Sequence, residues 1–84
     1  MDEKIVELTN EVFVESFEIE EEKLEPTADI FADLGLDSLD VVDLIVALQD
    51  KFSVTLRDDE RIKNISTLED LYRFIEQLKT ETLT

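Results

Sequence analysis

A chain of 84 residues, 43% of them hydrophobic, has the size of one small domain with a single thin core. The 23 acidic and 8 basic residues give a formal net charge of −15, which disfavours nucleic acid and anionic membranes as partners and favours basic protein surfaces. Cysteine and histidine are absent, which excludes disulfides, sulfur-ligated metals and Ser-His-Asp or Cys-His catalysis.

The first residues, Met1 to Lys4, lack the basic region and apolar run of a signal peptide. The longest strictly apolar run covers only residues 44–48, too few to span a membrane. We therefore expect a cytoplasmic protein that acts as a monomer and does not insert into membranes.

The first predicted element is a helix over residues 3–16, because apolar side chains recur there at helical spacing. Its expected buried face consists of Ile5, Leu8, Val12 and Phe13. Residues 17–37 break this pattern around Pro26 and Gly35 and predict a long, organised loop. The apolar residues expected to pin the loop to the core are Phe17, Ile19, Leu24, Ile30, Phe31, Leu34 and Leu36.

The strongest periodicity predicts a second helix over residues 38–52. The residues spaced to face the core are Val41, Leu44, Ile45, Leu48 and Phe52. A second apolar strip, formed by Leu39, Val42 and Val46, exceeds what the core requires and is flanked by Asp40 and Asp43. This strip is a candidate docking surface for a partner protein.

The last third of the chain predicts a short third helix within residues 57–64 and a longer final helix. The run Ser66-Thr67-Leu68-Glu69 has the form of a capping box, with Ser66 serving the backbone amide of Glu69. The expected buried stripe is Leu68, Leu71, Tyr72, Ile75 and Leu78, and residues 80–84 are expected to fray. The prediction is one all-α domain over residues 1–84, a four-helix bundle with three longer helices.

The most informative segment lies where the second helix begins. Asp37, Ser38 and Leu39 follow a Leu34-Gly35 pair and precede an acidic helix. Here the sequence resembles the acyl carrier protein family, whose attachment motif is Asp-Ser-Leu at this point of the fold. The resemblance implies a non-catalytic carrier with 4′-phosphopantetheine attached to Ser38, and it covers roughly residues 3–79.

Elementary chemistry supports this position for a phosphate-linked group. A serine at a helix start lies beside free backbone amides and the positive end of the helix dipole, which favour an anion. Asp37 can act as the N-cap and leave the Ser38 hydroxyl free. The attached arm would also supply the thiol that a cysteine-free chain lacks.

The resemblance further implies partners and the roles of individual residues. The expected partners are a phosphopantetheinyl transferase and acyl-processing enzymes, above all those of fatty acid synthesis, with basic docking patches. Asp37 would assist modification. The expected docking residues are Leu39, Asp40, Val42, Asp43 and Val46, and the expected acyl pocket is lined by Phe31, Ile45, Ile62, Ile65 and Leu71.

Departures from the family pattern leave the cargo open. Many members have Ile-Pro-Asp before the third helix, whereas this chain has Leu56-Arg57-Asp58-Asp59, and Ile62 stands where a small alanine is common. A carrier dedicated to polyketide, aminoacyl or D-alanyl transfer is an alternative. An acidic interaction or cation-sensing module, in which Ser38 is an ordinary cap, is an alternative of another class.

A calcium site of the EF-hand type does not fit the acidic residues before Ser38. A frame that starts at Asp29 puts Leu34 where the loop needs glycine and Asp40 where it needs glutamate. We therefore expect no metal site. We also expect no catalytic residue, because the sequence offers no constellation of reactive side chains.

Overall fold

The computed structural model describes residues 3–53 and 60–82, and the side chains of all of these except residues 60, 61, 81 and 82. Within those ranges the chain forms three α-helices and two short 3-10 helices. The α-helices are α1 (Glu3–Phe17), α2 (Ser38–Phe52) and α3 (Leu68–Thr82). The 3-10 helices are Glu21–Lys23 and Glu60–Asn64.

This architecture confirms the predicted all-helical fold with a long loop before α2. The predicted short third helix corresponds to the 3-10 helix Glu60–Asn64. The divergent residues Leu56 to Asp59 lie outside the described ranges. None of the described helices is long and apolar enough to cross a membrane.

Helix α1 packs against both α2 and α3 and carries a buried stripe at helical spacing. The stripe contains Ile5, Val12 and Phe13 as predicted, but its fourth member is Thr9 rather than Leu8. Positions i, i+4, i+7 and i+8 centre the buried face between Ile5 and Thr9, so Leu8 falls at the edge and is half-buried. The hydroxyl of Thr9 is fully buried and finds no hydrogen-bond partner among the described residues.

Helix α2 has the predicted bounds and is followed by its C-cap residue Ser53, which adopts the left-handed conformation with a φ of 54°. Leu44 and Leu48 are buried, whereas the other predicted core residues of α2, Val41, Ile45 and Phe52, are half-buried. Helix α2 therefore buries only one narrow row of side chains in the core, not a broad face.

The long loop is tied to the start of α3 by backbone hydrogen bonds. The amide of Ile30 donates to the carbonyl of Ser66 (2.8 Å), and the amide of Leu68 donates to the carbonyl of Ala28 (3.0 Å). A third bond runs from the amide of Glu69 to the carbonyl of Pro26 (2.9 Å). These bonds anchor the middle of the loop, so the segment that leads into α2 has a fixed path.

Most of the predicted loop anchors contact the core. Leu24, Ile30 and Leu36 are buried, and Phe17, Ile19 and Leu34 are half-buried. Phe31 is the exception, since 44% of its surface is exposed. Its neighbour Ile30 takes the buried position in the turn, and Phe31 is left on the outside.

The cap of α3 lies one residue later than predicted. The hydroxyl of Thr67 accepts from the amide of Asp70, and the carboxylate of Asp70 accepts from the amides of Ser66 and Thr67, all at 3.2 Å. Because loop carbonyls already accept from Leu68 and Glu69, the Ser66–Glu69 box was the wrong register. The hydrogen bonds to Asp70 from Thr67 and Ser66 lower the pKa of its carboxyl group.

Helix α3 buries the predicted stripe and one further residue, Phe74. The phenol of Tyr72 donates to the side-chain oxygen of Asn10 on α1, and burial raises the pKa of this phenol. The helix continues to Thr82, into the predicted frayed tail of residues 80–84, whose last two residues lie outside the described ranges. The hydroxyl of Thr80 donates to the carbonyl of Glu76 (3.0 Å), which helps to hold the last turn together.

Candidate functional site

Ser38 is the first residue of α2, and its side chain is exposed. The preceding Asp37 is the N-cap: its backbone is extended, and its carboxylate accepts from the amide of Asp40 at 2.9 Å. Asp40 in turn accepts from the amide of Asp37 at 3.1 Å, which completes a capping box. The predicted cap is confirmed, and the Ser38 hydroxyl is not needed to cap the helix.

The starts of α2 and α3 differ in how their first amides are used. In α3 the amides of Leu68, Glu69 and Asp70 all have acceptors within the chain. In α2 the amides of Ser38 and Leu39 have no acceptor among the described residues. Free amides at the positive end of a helix dipole favour a nearby anion, so the start of α2 suits a phosphate group attached to Ser38.

The backbone before Ser38 is held by a turn and by a buried leucine. Gly35 has a φ of +74°, a conformation that costs glycine little, and it follows the turn formed by residues 30–34. Leu36 follows, with its side chain buried and its amide donating to the carbonyl of Ile30 at 3.2 Å. Ser38 therefore projects from a rigid frame although it is exposed itself.

The apolar strip on α2 is exposed beside Ser38. The exposed fractions are 77% for Leu39, 57% for Val42 and 52% for Val46, so the strip adds little to the core. Its three residues follow the helical spacing i, i+3 and i+7, which puts them on one face of α2. Asp43 is exposed and Asp40 is half-buried near the same face, so the surface combines apolar contact area with negative charge.

A cavity of about 30 Å³ lies between α2, α3, the 3-10 helix Glu60–Asn64 and the long loop. All five residues predicted to line an acyl pocket border it, namely Phe31, Ile45, Ile62, Ile65 and Leu71. The sequence reading missed the remaining lining residues, Ile30, Val41, Leu44, Leu48 and Phe74. Of these, Phe74 could have been found, because it follows Leu71 by one helical turn.

The cavity is almost purely apolar, yet it has room for only about one or two water molecules. Its deep side is formed by buried residues, among them Leu44, Leu48 and Leu71. Its outer side is formed by exposed or half-buried ones, including Phe31, Ile45 and Ile62. Any chain longer than a few atoms must therefore displace the outer side chains first.

The acidic residues before Ser38 have structural tasks. The carboxylate of Asp29 accepts from the amides of Phe31 (2.9 Å) and Ala32 (2.8 Å), and Asp33 accepts from the amide of Asp29 (2.8 Å). Among the residues that the structure describes, no group of three acidic side chains is arranged to hold a metal ion.

Comparison with known proteins gives consistent matches. Residues 8–75 match the family described as the phosphopantetheine attachment site. The chain is 42% identical to an acyl carrier protein of Wolinella succinogenes over 69 residues, which cover 82% of this chain and 90% of the relative. It is 38% identical to an acyl carrier protein of Campylobacter concisus over 74 residues, which cover 88% and 95% of the two chains.

Proposed function

This chain belongs to the phosphopantetheine-binding family of acyl carrier proteins, which are non-catalytic carriers, and we propose that Ser38 bears its 4′-phosphopantetheine. One observation carries the assignment of the residue. The Ser38 hydroxyl is exposed at the start of α2 while Asp37 caps the helix. Family membership also removes the support for an acidic interaction module without a prosthetic group.

Attachment uses the hydroxyl oxygen of Ser38 as the nucleophile in the active site of a transferase. The oxygen attacks the diphosphate of coenzyme A, a phosphodiester forms, and adenosine 3′,5′-bisphosphate leaves while the hydroxyl proton passes to the transferase. When bound, the group supplies a thiol that holds an acyl chain as a thioester. The amides of Ser38 and Leu39 stabilise the phosphate charge, and Asp37 keeps the helix start in place.

The proposed docking surface is the apolar strip Leu39, Val42 and Val46 with the carboxylates of Asp40 and Asp43. Basic side chains on acyl-processing enzymes would pair with the two carboxylates. Each exposed ion pair contributes less than about 1 kcal/mol, so the apolar strip must supply much of the affinity. The net charge of −15 adds long-range attraction, which speeds encounter with basic partners.

The proposed shelter for the acyl chain is the cavity lined by Phe31, Ile45, Ile62, Ile65 and Leu71. Its apolar lining favours hydrocarbon cargo, which supports fatty acyl groups over aminoacyl or D-alanyl groups, since a charged amine would lose its hydration there. We take the carrier to work as a cytoplasmic monomer that presents acyl intermediates to fatty acid biosynthetic enzymes.

The test is the intact mass of the purified chain before and after incubation with coenzyme A and a broad-specificity phosphopantetheinyl transferase. We expect one phosphopantetheinyl addition to the wild-type chain and none to Ser38→Ala. Ser16→Ala is the matched control, because Ser16 is also exposed on a helix, and it should be modified like the wild type. Addition to Ser38→Ala, or no addition to the folded wild-type chain, would contradict the assignment.

A further inference from the structure

A second concave region borders the apolar cavity. It is a shallow surface groove along α3 and the end of the 3-10 helix, lined by Asn64, Ile65, Asp70, Arg73, Phe74 and Gln77. Ile65 and Phe74 line both the groove and the cavity. These two side chains therefore form a partition shared by the two spaces.

Within the partition Phe74 is buried in the core, so a chain would leave the cavity by displacing Ile65. Leu44, Leu48 and Leu71 are backed by other buried residues, so an advance in their direction would unpack the helices. Ile65 is only half-buried and follows a short 3-10 helix. Val41, three residues after Ser38, lines the cavity but not the groove.

The chemistry of the groove differs from that of the cavity. Apart from the two partition residues, its lining consists of carboxamide and charged side chains. Asp70 is ionised at neutral pH, as an ordinary aspartate is, and the guanidinium of Arg73 is already bonded to Glu69. A carboxylate would be repelled there, and a bare methyl end would gain little. An uncharged group that donates and accepts hydrogen bonds fits best.

We propose that this groove is a second acyl subsite, in which the far end of a long chain passes between Ile65 and Phe74 and places an uncharged polar group beside Asn64 and Gln77. The inference rests on the proposed attachment at Ser38 and names a class of cargo for it. That class is long acyl groups whose far end carries a hydroxyl or a similar neutral group. Short acyl groups stay in the cavity.

The cysteine-free chain allows a direct test by proximity. Asn64→Cys is loaded at Ser38 with an amide-linked acyl-pantetheine whose far end carries a bromoacetamide, which is itself an uncharged hydrogen-bonding group. The thiolate of the introduced cysteine displaces bromide, and the loss of hydrogen bromide is read from the intact mass. We expect coupling with a tetradecanoyl chain to be roughly tenfold faster than with a butanoyl chain, because confinement raises the local concentration.

Two kinds of variant make the result specific. Glu15→Cys on α1 is a control for random reach of the long chain, since Glu15 is exposed and lines neither the cavity nor the partition, and it should couple slowly. Ile65→Phe thickens the partition and should slow coupling at Asn64→Cys, whereas Ile65→Ala thins it and should speed coupling. Thermal melts followed by circular dichroism identify any variant that fails to fold.

The outcomes separate this inference from the function on which it rests. If the mass shows a loaded Ser38 but the long chain couples no faster at Asn64→Cys than at Glu15→Cys, the groove is not a subsite. If Ser38 takes no analogue, the attachment assignment and the subsite both fail. If neither substitution at Ile65 changes the rate of coupling at Asn64→Cys, the proposed path is also wrong.

A separate measurement tests whether the groove prefers a polar chain end. Wild-type protein carrying a tetradecanoyl thioester is compared with protein carrying the hydroxyl-terminated chain of the same length, and cleavage by hydroxylamine is timed. A hydrogen bond in the groove should slow cleavage of the hydroxylated cargo roughly two- to tenfold. Equal rates would contradict a polar subsite.

Discussion

The division of labour between Asp37 and Ser38 can be measured as free energy. The carboxylate of Asp37 accepts from the amide of Asp40 at 2.9 Å, whereas Ser38 contributes no bond to the cap. Asp37→Ala should therefore lower the free energy of unfolding by about 1 kcal/mol, within the range of about 0.5 to 2 found for lost N-caps. In a domain of this size that corresponds to a melting temperature lower by about 4–8 °C.

Two further substitutions test whether the cap depends on the negative charge of Asp37 and whether Ser38 takes part in it. Asparagine is as good an N-cap as aspartate, so Asp37→Asn should change the free energy of unfolding by less than about 0.5 kcal/mol. Ser38→Ala should also stay within about 0.5 kcal/mol, because the lost hydroxyl is exposed and bonds to no residue within 3–53 or 60–82, and because alanine favours the helix.

The assay is urea unfolding followed by circular dichroism at fixed ionic strength, since salt changes the self-repulsion of a chain with a net charge of −15. The apo chain is used for all variants so that the prosthetic group does not contribute. A loss for Ser38→Ala as large as that for Asp37→Ala would refute the reasoning. Ser38 would then be the cap, and the case for its free hydroxyl would collapse.

Three further predictions address the core, the α3 cap and the docking strip. Thr9→Val should raise the free energy of unfolding by about 1 kcal/mol or more, because the buried Thr9 hydroxyl has no partner in the described part of the chain; a lower urea midpoint would show that a partner exists. Asp70→Ala should cost about 1 kcal/mol at pH 7, and this gap should shrink as the pH falls below about 4. The pKa of Asp70 is lower in the folded chain than in the unfolded chain, so its carboxylate stabilises the fold above the unfolded-state pKa and this stability is lost on protonation. If urea titrations gave the same difference in unfolding free energy between wild type and Asp70→Ala at every pH, the reasoning would be wrong. Val42→Ser should raise the KM of the phosphopantetheinyl transferase on the order of fivefold, for about 1 kcal/mol of lost contact, while Val14→Ser on α1, also exposed, should not; equal effects would argue against the strip.

Helix bounds could be predicted closely because they follow from local signals. The apolar period and the Asp37-Ser38 pair define residues 38–52, and α1 ends only one residue later than expected. The cap of α3 was missed by one residue for a non-local reason. By sequence Ser66 is the better cap, but the loop carbonyls of Ala28 and Pro26 accept from the amides of Leu68 and Glu69 and favour Thr67 instead.

Burial was harder to predict than helix position, because it depends on how the helices meet. The polar Thr9 is fully buried while the aromatic Phe31 is exposed, the reverse of what hydrophobicity suggests. The exposed strip on α2 was predictable, since its residues exceed the one face that a helix on a thin core can bury. The groove beside Ile65 was not, because it depends on the spacing of α3 from the 3-10 helix.

The hydrogen bonds between the loop and α3 also set an order of events during synthesis. A growing chain exposes α1, the loop and α2 before it exposes Ser66, Leu68 and Glu69, which are the loop's partners. The loop's contacts therefore span a long stretch of sequence and form late, as contacts of high sequence separation do. The part of the approach to Ser38 that depends on α3 is therefore fixed only after α3 has been synthesised and has packed against the loop.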